Sequence, residues 1–343
     1  MLYPLTTLLS LNRRTPPIGR VGVRPLVALP QQYRALVWPD SASLMSARHA
    51  HGAGEWLKTW WRGWRSQSHR PVLLGALARH PVWAARFSQE PRYFHCVQSH
   101  QVDRRLGIGQ RIDALARDIS AADLVFGPAL APRIASGEQV RLASIADATG
   151  GLHVCLGLND CSFHEGIWAL SLRDDQGKRL YYMSLSFRST RSLLVPTLQG
   201  PSTALPGPGD DNRELVRQIT KLAQGLRPPA LLMAALRSAC MAWGVGHLAG
   251  IAPQHHVKGR WNLRGSRLRF DYQAFWHEQG GYRAADGHWT LPIQQALRPL
   301  SEVPSHKRAM YRRRQALLDS LDGSIADLLS TRDLIVEPLR HAA

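Results

Sequence analysis

The sequence predicts an α/β (α+β) fold with a mixed central sheet flanked by helices and an N-terminal helical region. Three apolar runs have the length of strands: residues 166–172, 179–187 and 192–200. The polar residues 174–177, which end in a glycine, form a hairpin signal between the first two runs. Helical spacing of apolar residues follows over 215–222, before a short apolar run ends at Ile251. Strands, helices and a further strand in this order favour a layered α/β domain.

A second helix after residue 222 is predicted from its proline start and glycine end. Pro228 and Pro229 are tolerated only at or before the first turn of a helix. Apolar residues then mark one face as far as Trp243, and Gly244 ends the helix. The run at 247–251 is predicted to be a buried strand beside the first three.

The chain before these strands divides into a tail and a helical region. Residues 1–45 are rich in proline, show no sustained periodicity and are predicted to form a loose tail. Residues 46–135 are predicted to be helical, with prolines at the starts of helices. The helical stretches are 72–77, 83–87 and 108–119. Pro128 and Pro132 mark the boundary with the strand-rich half.

Residues 136–330 are predicted to form a mixed α/β core domain. It begins with strands at 140–145 and 152–158 and includes a return strand at 267–271 and a short helix at 272–280. It ends in a long basic amphipathic helix over 305–329. Residues 331–343 are assigned to a C-terminal tail.

The charge balance of the chain points to an anionic partner. In 343 residues, Lys and Arg number 43 against 25 Asp and Glu, which gives a formal net charge of +18. Such an excess suits a phosphorylated donor, a membrane surface or RNA. An arginine-rich composition without a functional meaning would give the same number. Nucleic-acid binding has the charge in its favour, but the sequence contains no recognised nucleic-acid-binding motif.

Cysteine usage and hydropathy favour a cytoplasmic protein. The cysteines are Cys96, Cys155, Cys161 and Cys240, and their spacing matches neither a CxxC pair nor a zinc site. No run approaches the ~20 apolar residues that cross a bilayer. We therefore expect reduced thiols and a cytoplasmic location, with the inner face of a membrane as an alternative. The sequence does not indicate an oligomeric state.

Tryptophans recur at four-residue intervals in the helical region. Trp56, Trp60 and Trp64 lie on one helical stripe, beside basic residues at 58, 62 and 65. The stripe could rest on an anionic membrane surface. The alternative is that a short helix packs this stripe against the main domain.

Several strings in the chain resemble a known bacterial family. They are His164-Glu165-Gly166, residues 180–187, Leu198-Gln199-Gly200, Gly225-Leu226-Arg227-Pro228, Asp271-Tyr272 with Phe275-Trp276, Asp286-Gly287, Leu291-Pro292 and residues 303–314. In order and spacing they are similar to the VirK/YbjX family, a domain of unknown function, over about residues 71–329. The resemblance implies a link to virulence and the cell envelope, including surface display of an outer-membrane protein and resistance to antimicrobial cationic peptides. It implies no biochemical activity.

The order of strand, loop, helix and strand around residues 193–251 is similar to the core of GNAT-type acyltransferases. That resemblance implies a loop whose backbone amides bind the pyrophosphate of a cofactor at a helix N-terminus. Here the loop would contain Gln224, Gly225 and Arg227, with Lys221 adding charge. The donor would be an acyl-CoA or an aminoacyl-tRNA. The alternative for the same residues is a tight turn between two helices.

Acyl transfer also needs a general base and a proton donor for the leaving group. His164 and Glu165 precede a predicted strand and are the candidates for the base. Tyr181 or Tyr182 could be the acid, and only one of them can serve, because neighbours on a strand point to opposite faces. Glu165 could instead pair with an arginine in a turn. The His255-His256 pair is not assigned to a metal, since neighbours on an extended chain diverge and no acidic third ligand lies nearby.

Two functions remain open from the sequence. The first is a GNAT-like acyl- or aminoacyl-transferase that acts on an amine. The second is a non-catalytic basic adaptor that binds an anionic membrane surface or partner protein.

Overall fold

The computed structural model describes residues 36–49, 51–147, 150–200, 210–259, 268, 270–295 and 299–330. The helices are α1 (Ser41–Ser46), α2 (Ala53–Ser66), α3 (Arg70–Arg79), α4 (Pro81–Gln89), α5 (Arg92–Ser99), α6 (Ile108–Ala135), α7 (Asp210–Leu222), α8 (Pro228–Trp243), α9 (Tyr272–Glu278) and α10 (Arg308–Ser330). The strands are β1 (Val140–Asp147), β2 (Gly150–Leu158), β3 (Trp168–Asp174), β4 (Arg179–Ser189), β5 (Ser192–Val195), β6 (Leu198–Gln199), β7 (His247–Gly250), β8 (Tyr282–Arg283) and β9 (Trp289–Leu291). This mixture confirms the α/β class.

The sheet has the order β1-β2-β3-β4-β5-β7-β9-β8, and β6 also pairs with β4. Strands β1 to β5 form an antiparallel meander. The predicted hairpin between β3 and β4 is present. The side chain of Asp174 accepts from the amides of Gln176 and Lys178, and Gly177 takes a positive φ of 74°. Such a conformation favours glycine, which explains the residue at the end of this turn.

Strands β5 and β7 are parallel, and helices α7 and α8 lie between them in the chain. The predicted strand 192–200 is divided at Pro196 into β5 and β6, both of which pair with β4. β7 follows β5 only as far as the bond from the Ile251 amide to the Val195 carbonyl. Beyond that point the Tyr272 hydroxyl bonds both the amide and the carbonyl of Leu198. Tyr272 therefore satisfies backbone groups that a longer neighbouring strand would otherwise use.

Helix α6 is attached to the sheet by a buried carboxylate. Asp118 accepts from Trp168 Nε1 and the Phe187 amide, each at 2.8 Å, and from the Ser186 hydroxyl at 2.9 Å. Burial raises the pKa of Asp118 to about 7, and the donors from Trp168, Phe187 and Ser186 oppose that rise. The rings of Phe126, Trp168, Phe187 and Trp243 pack in edge contacts around this attachment, with centroids 5.4–5.9 Å apart. Helix α8 packs against β3 and β4, and α10 packs against α8 and β1.

Two details differ from the sequence expectations. Part of the expected tail packs into the core, because Leu36, Trp38 and Leu44 are buried. The expected boundary at Pro128 and Pro132 lies inside α6, which is interrupted at Gly127 (φ 64°, ψ −177°) and then continues to Ala135. Pro128 is tolerated there because it begins the second helical segment.

Some expectations fall outside the described residues. These are the tail segments 1–35 and 331–343, and residues 267 and 269 of the strand expected at 267–271. The described residues of that segment, 268, 270 and 271, do not lie in a strand, so the return strand is not found there. The GNAT-like arrangement stays a prediction. Gly225, which belongs to the loop of that arrangement, faces Met310 and Arg314 of α10.

Gly250 of β7 lies directly against the Trp276 ring, so we expect Gly250→Ala to destabilise the fold. An added Cβ would come within 2.5 Å of the ring, which is fully buried and donates its Nε1–H to the Ile251 carbonyl. Overpacking of this kind costs about 1–3 kcal/mol of unfolding free energy, measurable by urea denaturation. Gly246→Ala is the matched control, because a Cβ there meets nothing within 4 Å. Equal stability of the two variants would contradict this account of the packing.

Candidate functional site

The candidate site is centred on Glu165, whose side chain is fully buried. It lies in a short 3₁₀ turn (Phe163–Glu165) before β3. Its Oε2 accepts from the Tyr182 hydroxyl at 2.7 Å, and its Oε1 accepts from Gln199 Nε2 at 2.9 Å. Tyr182 and Gln199 are register partners on β4 and β6, so both donors come from adjacent strands.

The positive charge that balances Glu165 comes from Lys258, in the segment after β7. Lys258 Nζ lies 2.6 Å from Oε1 of Glu165, and the lysine side chain is 40% exposed. The ion pair therefore joins a carboxylate closed off from water to an amine that reaches the surface. A buried charge needs such a partner, because desolvation of an unpaired carboxylate is costly.

His256 connects Glu165 to the end of the parallel strand pair. The Lys258 amide donates to His256 Nδ1 at 3.1 Å, so the proton of the neutral ring is on Nε2. Nε2 donates to the Thr197 hydroxyl at 3.1 Å and lies 3.9 Å from Oε1 of Glu165. The Thr197 hydroxyl is also 2.9 Å from that of Tyr272. A continuous polar network thus crosses the buried end of β5 and β7.

Burial keeps His256 and Tyr182 in their neutral forms. It lowers the pKa of His256 to about 4, although the charge of Glu165 opposes this shift. The pKa of Tyr182 is raised, first by burial and then by the nearby Glu165. Tyr182 is accordingly a hydrogen-bond donor to the carboxylate rather than a ready source of protons.

His164 does not join Glu165, its neighbour in the sequence. Its Nδ1 donates to the His100 carbonyl at 2.7 Å, and its ring makes an edge contact with His95 at 5.7 Å. Burial lowers the pKa of His164. It also lines a cavity of about 380 Å³ that includes Arg86, Arg92 and Cys161. His164 and Glu165 therefore lie in different surroundings.

Tyr182 makes the contact with Glu165 that the sequence also allowed for Tyr181. Tyr181 packs against Gly200, where an added Cβ would be 2.7 Å from its ring. Burial raises the pKa of Tyr181 to about 12. The alternation of strand residues separates the two tyrosines as expected, and a catalytic role for either stays a prediction.

The loop at residues 224–227 is a tight turn after α7. The amides of Gln224, Gly225 and Leu226 donate to the carbonyls of Lys221, Thr220 and Ala223 respectively. These amides are therefore not available to bind phosphate in this conformation. Arg227 is paired with Glu278 of α9, at 2.5 Å. The backbone phosphate cradle expected here is corrected to a helix-ending turn.

Side chains of the same region line a basic cleft between α7 and α10. The cleft has a volume of about 470 Å³ and is lined by Arg217, Thr220, Lys221, Gln224, Gly225, Met310 and Arg313. Arg217 pairs with Glu214, and Arg313 donates to Gln224 Oε1 at 3.3 Å. Lys221 is exposed, and within the part of the chain that the structure describes it forms no ion pair. Three of the four predicted cofactor-binding residues, Lys221, Gln224 and Gly225, thus line one cleft. The backbone amides of Gln224 and Gly225 are bonded to carbonyls of the turn.

Sequence reasoning missed five members of the buried network: Thr197, Gln199, His256, Lys258 and Tyr272. Polar residues at strand positions in the 197–199 segment were the available signal. His255 and His256 do diverge, since His255 packs against His288 with ring centroids 5.5 Å apart. Among the described residues, no group of His, Cys, Asp and Glu could hold a metal ion. Cys96, Cys155 and Cys240 are buried free thiols, and Cys161 is exposed.

Acidification should weaken folding through His256. Its pKa is about 4 in the folded protein against an ordinary 6.5, so the unfolded chain binds the proton first as the pH falls. Stability from this group is complete above pH 6.5 and decreases towards pH 4, by at most about 3 kcal/mol. His256→Gln should reduce this pH dependence in urea denaturation, with the exposed His306→Gln as the matched control. An unchanged slope in His256→Gln would contradict the prediction.

Comparison with known proteins places the chain in a family. The family described as "Protein of unknown function (DUF535)" matches residues 54–327. An "Uncharacterized protein" of Haemophilus influenzae is 28% identical over 267 residues, which is 77% of this chain and 87% of that protein. "Uncharacterized protein YbjX" of Escherichia coli is 27% identical over 169 residues, 48% of this chain and 49% of that protein. "Membrane protein LapB" of Mannheimia haemolytica is 24% identical over 222 residues, 64% of this chain and 93% of that protein.

No solved structure matches the chain. No helix in the described residues combines the length and apolar character needed to cross a membrane. The family match covers most of the chain and includes the Glu165 network, and it agrees with the resemblance to VirK/YbjX. This chain therefore belongs to the DUF535 family, the family of VirK/YbjX-type proteins.

Proposed function

We propose that the protein transfers an acyl or aminoacyl group to an amine at Glu165. One observation carries the proposal: the fully buried carboxylate already binds a primary ammonium group, Lys258 Nζ, at 2.6 Å. An amine substrate that took the place of Nζ would have its nitrogen within reach of the base that must accept its proton. Lys258 is 40% exposed, so its head group can turn towards water and leave that place.

The proton balance of this reaction needs a single carboxylate. The amine nitrogen forms a bond to the carbonyl carbon of the donor, and the carbon–sulfur or carbon–oxygen ester bond breaks. The amine reacts in its neutral form, so a substrate that arrives as ammonium first releases one proton to solvent. Glu165 then accepts the second proton of the nitrogen as the new bond forms and returns it to the departing thiolate or alkoxide. Tyr182 and Gln199 position the carboxylate, since both donate to its oxygens. The raised pKa of Tyr182 makes it a poor acid for the leaving group.

The donor in this proposal is an acyl-CoA or an aminoacyl-tRNA, whose phosphates would occupy the cleft between α7 and α10. Lys221 and Arg313 would neutralise the phosphates, and Gln224 and Gly225 also line the cleft. Arg227 lies at the start of α8, where its pair with Glu278 has to open before it can contribute. The envelope and virulence association implied by the family resemblance, and a cytoplasmic location peripheral to the inner membrane, belong to the same proposal.

A second function is a non-catalytic basic adaptor. The observation in its favour is that the cleft cations line an open surface while Glu165 is closed off from water. A relative named "Membrane protein LapB" also supports a role at a membrane. In this function the Glu165 network would stabilise the fold, and the basic surface would bind the partner.

Removal of the Glu165 charge should abolish acyl transfer. Glu165→Gln keeps the shape of the side chain but cannot accept a proton, so we expect a loss of at least about 100-fold in the rate of amine acylation. The measurement is transfer of labelled acyl groups from acyl-CoA, or of labelled amino acids from tRNA, to a panel of amines. Glu138→Gln, which removes the surface carboxylate paired with Arg133, is the matched control. If Glu165→Gln were as active as the wild type, Glu165 would be excluded as the base. An unfolding transition of Glu165→Gln equal to that of the wild type would show that the variant keeps its fold.

Charge reversal in the cleft should weaken donor binding. We expect acyl-CoA or charged tRNA to raise the unfolding temperature of the wild type and of Glu165→Gln, but not that of Lys221→Glu/Arg313→Glu. Arg79→Glu/Arg117→Glu has the same change in net charge on exposed residues of α3 and α6, and is the control. If no acyl donor stabilises the wild type, the transferase proposal fails and the adaptor remains. Added salt should weaken binding of the acyl donor in the transferase function and of the anionic partner in the adaptor function.

A further inference from the structure

Helix α2 is oriented opposite to an ordinary surface helix. Its buried residues are the small Thr59, Gly63 and Ser66, whereas its large apolar side chains face outwards. The exposed fractions are 48% for Trp56, 58% for Leu57, 46% for Trp60, 49% for Trp61 and 54% for Trp64. At about 100° per residue these five residues form one apolar arc of about 140°. The expectation that the tryptophan stripe packs against the domain was therefore wrong.

The inward face of α2 is complete without the tryptophans. The Thr59 hydroxyl donates to the Glu55 carbonyl at 2.8 Å, and the Ser66 hydroxyl donates to the Gly63 carbonyl at 2.7 Å. Arg70 also donates to that carbonyl, at 2.6 Å. Small side chains with satisfied polar groups let the helix approach α5 and α6 closely. The position of α2 is thus fixed by its polar side, and the aromatic arc is not needed for that packing.

The arc has the composition of a membrane-interface surface. Tryptophan combines a large apolar ring with an N–H donor and prefers the boundary between headgroups and acyl chains. Trp61 and Trp64 stack on each other with their ring centroids 5.1 Å apart. Lys58, Arg62 and Arg65 follow the arc on one flank, at about 180–240° on the same helical projection. The net charge of +18 adds a long-range attraction to anionic headgroups.

We propose that the tryptophan face of α2, defined as Trp56, Leu57, Trp60, Trp61 and Trp64, docks the protein on an anionic lipid bilayer. The rings would enter the headgroup region while Arg65 on the flank contacts lipid phosphates. Lys58 would have to leave its ion pair with Glu55 before it could do the same. The inference deepens the adaptor function by naming its surface and its partner. It does not depend on chemistry at Glu165, because docking by α2 would serve a transferase equally.

The test is flotation of the full-length protein with vesicles of equal parts phosphatidylglycerol and phosphatidylcholine, and with phosphatidylcholine alone. We expect binding to the anionic vesicles that weakens with salt, and a loss of at least about tenfold in Trp60→Ser/Trp64→Ser. Arg65→Glu should also weaken binding. Leu124→Ser/Tyr282→Ser removes side chains that are 68% and 65% exposed elsewhere, and is the matched control.

Three outcomes would overturn the proposal. The first is failure of the wild type to float with anionic vesicles, as expected if residues 1–35 of the chain cover the face. The second is an equal loss in the Leu124→Ser/Tyr282→Ser control. The third is a concentration-dependent dimer in sedimentation velocity that disappears in Trp60→Ser/Trp64→Ser, with no vesicle binding, because the face would then join two copies of the chain. Glu165→Gln should float like the wild type, which separates this test from that of acyl transfer.

Discussion

A carboxylate without access to water ties separate parts of this fold together. Glu165 must be neutralised inside the protein, and its donors come from three places in the chain: Tyr182 on β4, Gln199 on β6 and Lys258 after β7. The network therefore joins the antiparallel meander to the segment that follows the helical crossover. A buried ion pair contributes little net stability compared with well-packed apolar residues.

The surroundings of Glu165 depend on how the parallel pair ends. β7 stops pairing at Val195, whereas the chain of β5 continues past Pro196 into β6. The backbone amide and carbonyl of Leu198 both hydrogen-bond to the hydroxyl of Tyr272, and the same hydroxyl contacts that of Thr197. A side chain from α9 thus replaces a strand, and polar side chains fill the space where the two strands separate. His256 contacts Thr197 in this polar region, and both His256 and Lys258 lie beside Glu165.

The sequence predicted what depends on local periodicity and missed what depends on distant partners. The antiparallel strands and the helices α7 and α8 follow from spacing and from turn residues, and Glu165 was noticed because of its place before a strand. Lys258 and Tyr272 are 93 and 107 positions further along, and no local pattern connects them to Glu165. The stripe of tryptophans was visible, but its direction was set by Thr59, Gly63 and Ser66, whose small size marks the packing side. For the loop at 224–227 the sequence allowed either a phosphate-binding loop or a tight turn between two helices. The backbone hydrogen bonds form the turn.

The structure places the basic residues in different surroundings: some are buried against backbone carbonyls, and others lie at the surface. Arg111 donates to the carbonyls of Val97, Leu106 and Gln98, and Arg237 donates to those of Pro292 and Gln279. Burial lowers the pKa of both to about 10, and both replace backbone partners that the sheet and helices do not supply. Such arginines contribute to the net charge but offer nothing to a ligand. The cations of the α7–α10 cleft and of the α2 flank differ, because they border an open cleft or an apolar face. Net charge alone therefore overstates the attraction for anions, because part of it belongs to arginines that are bound to backbone carbonyls.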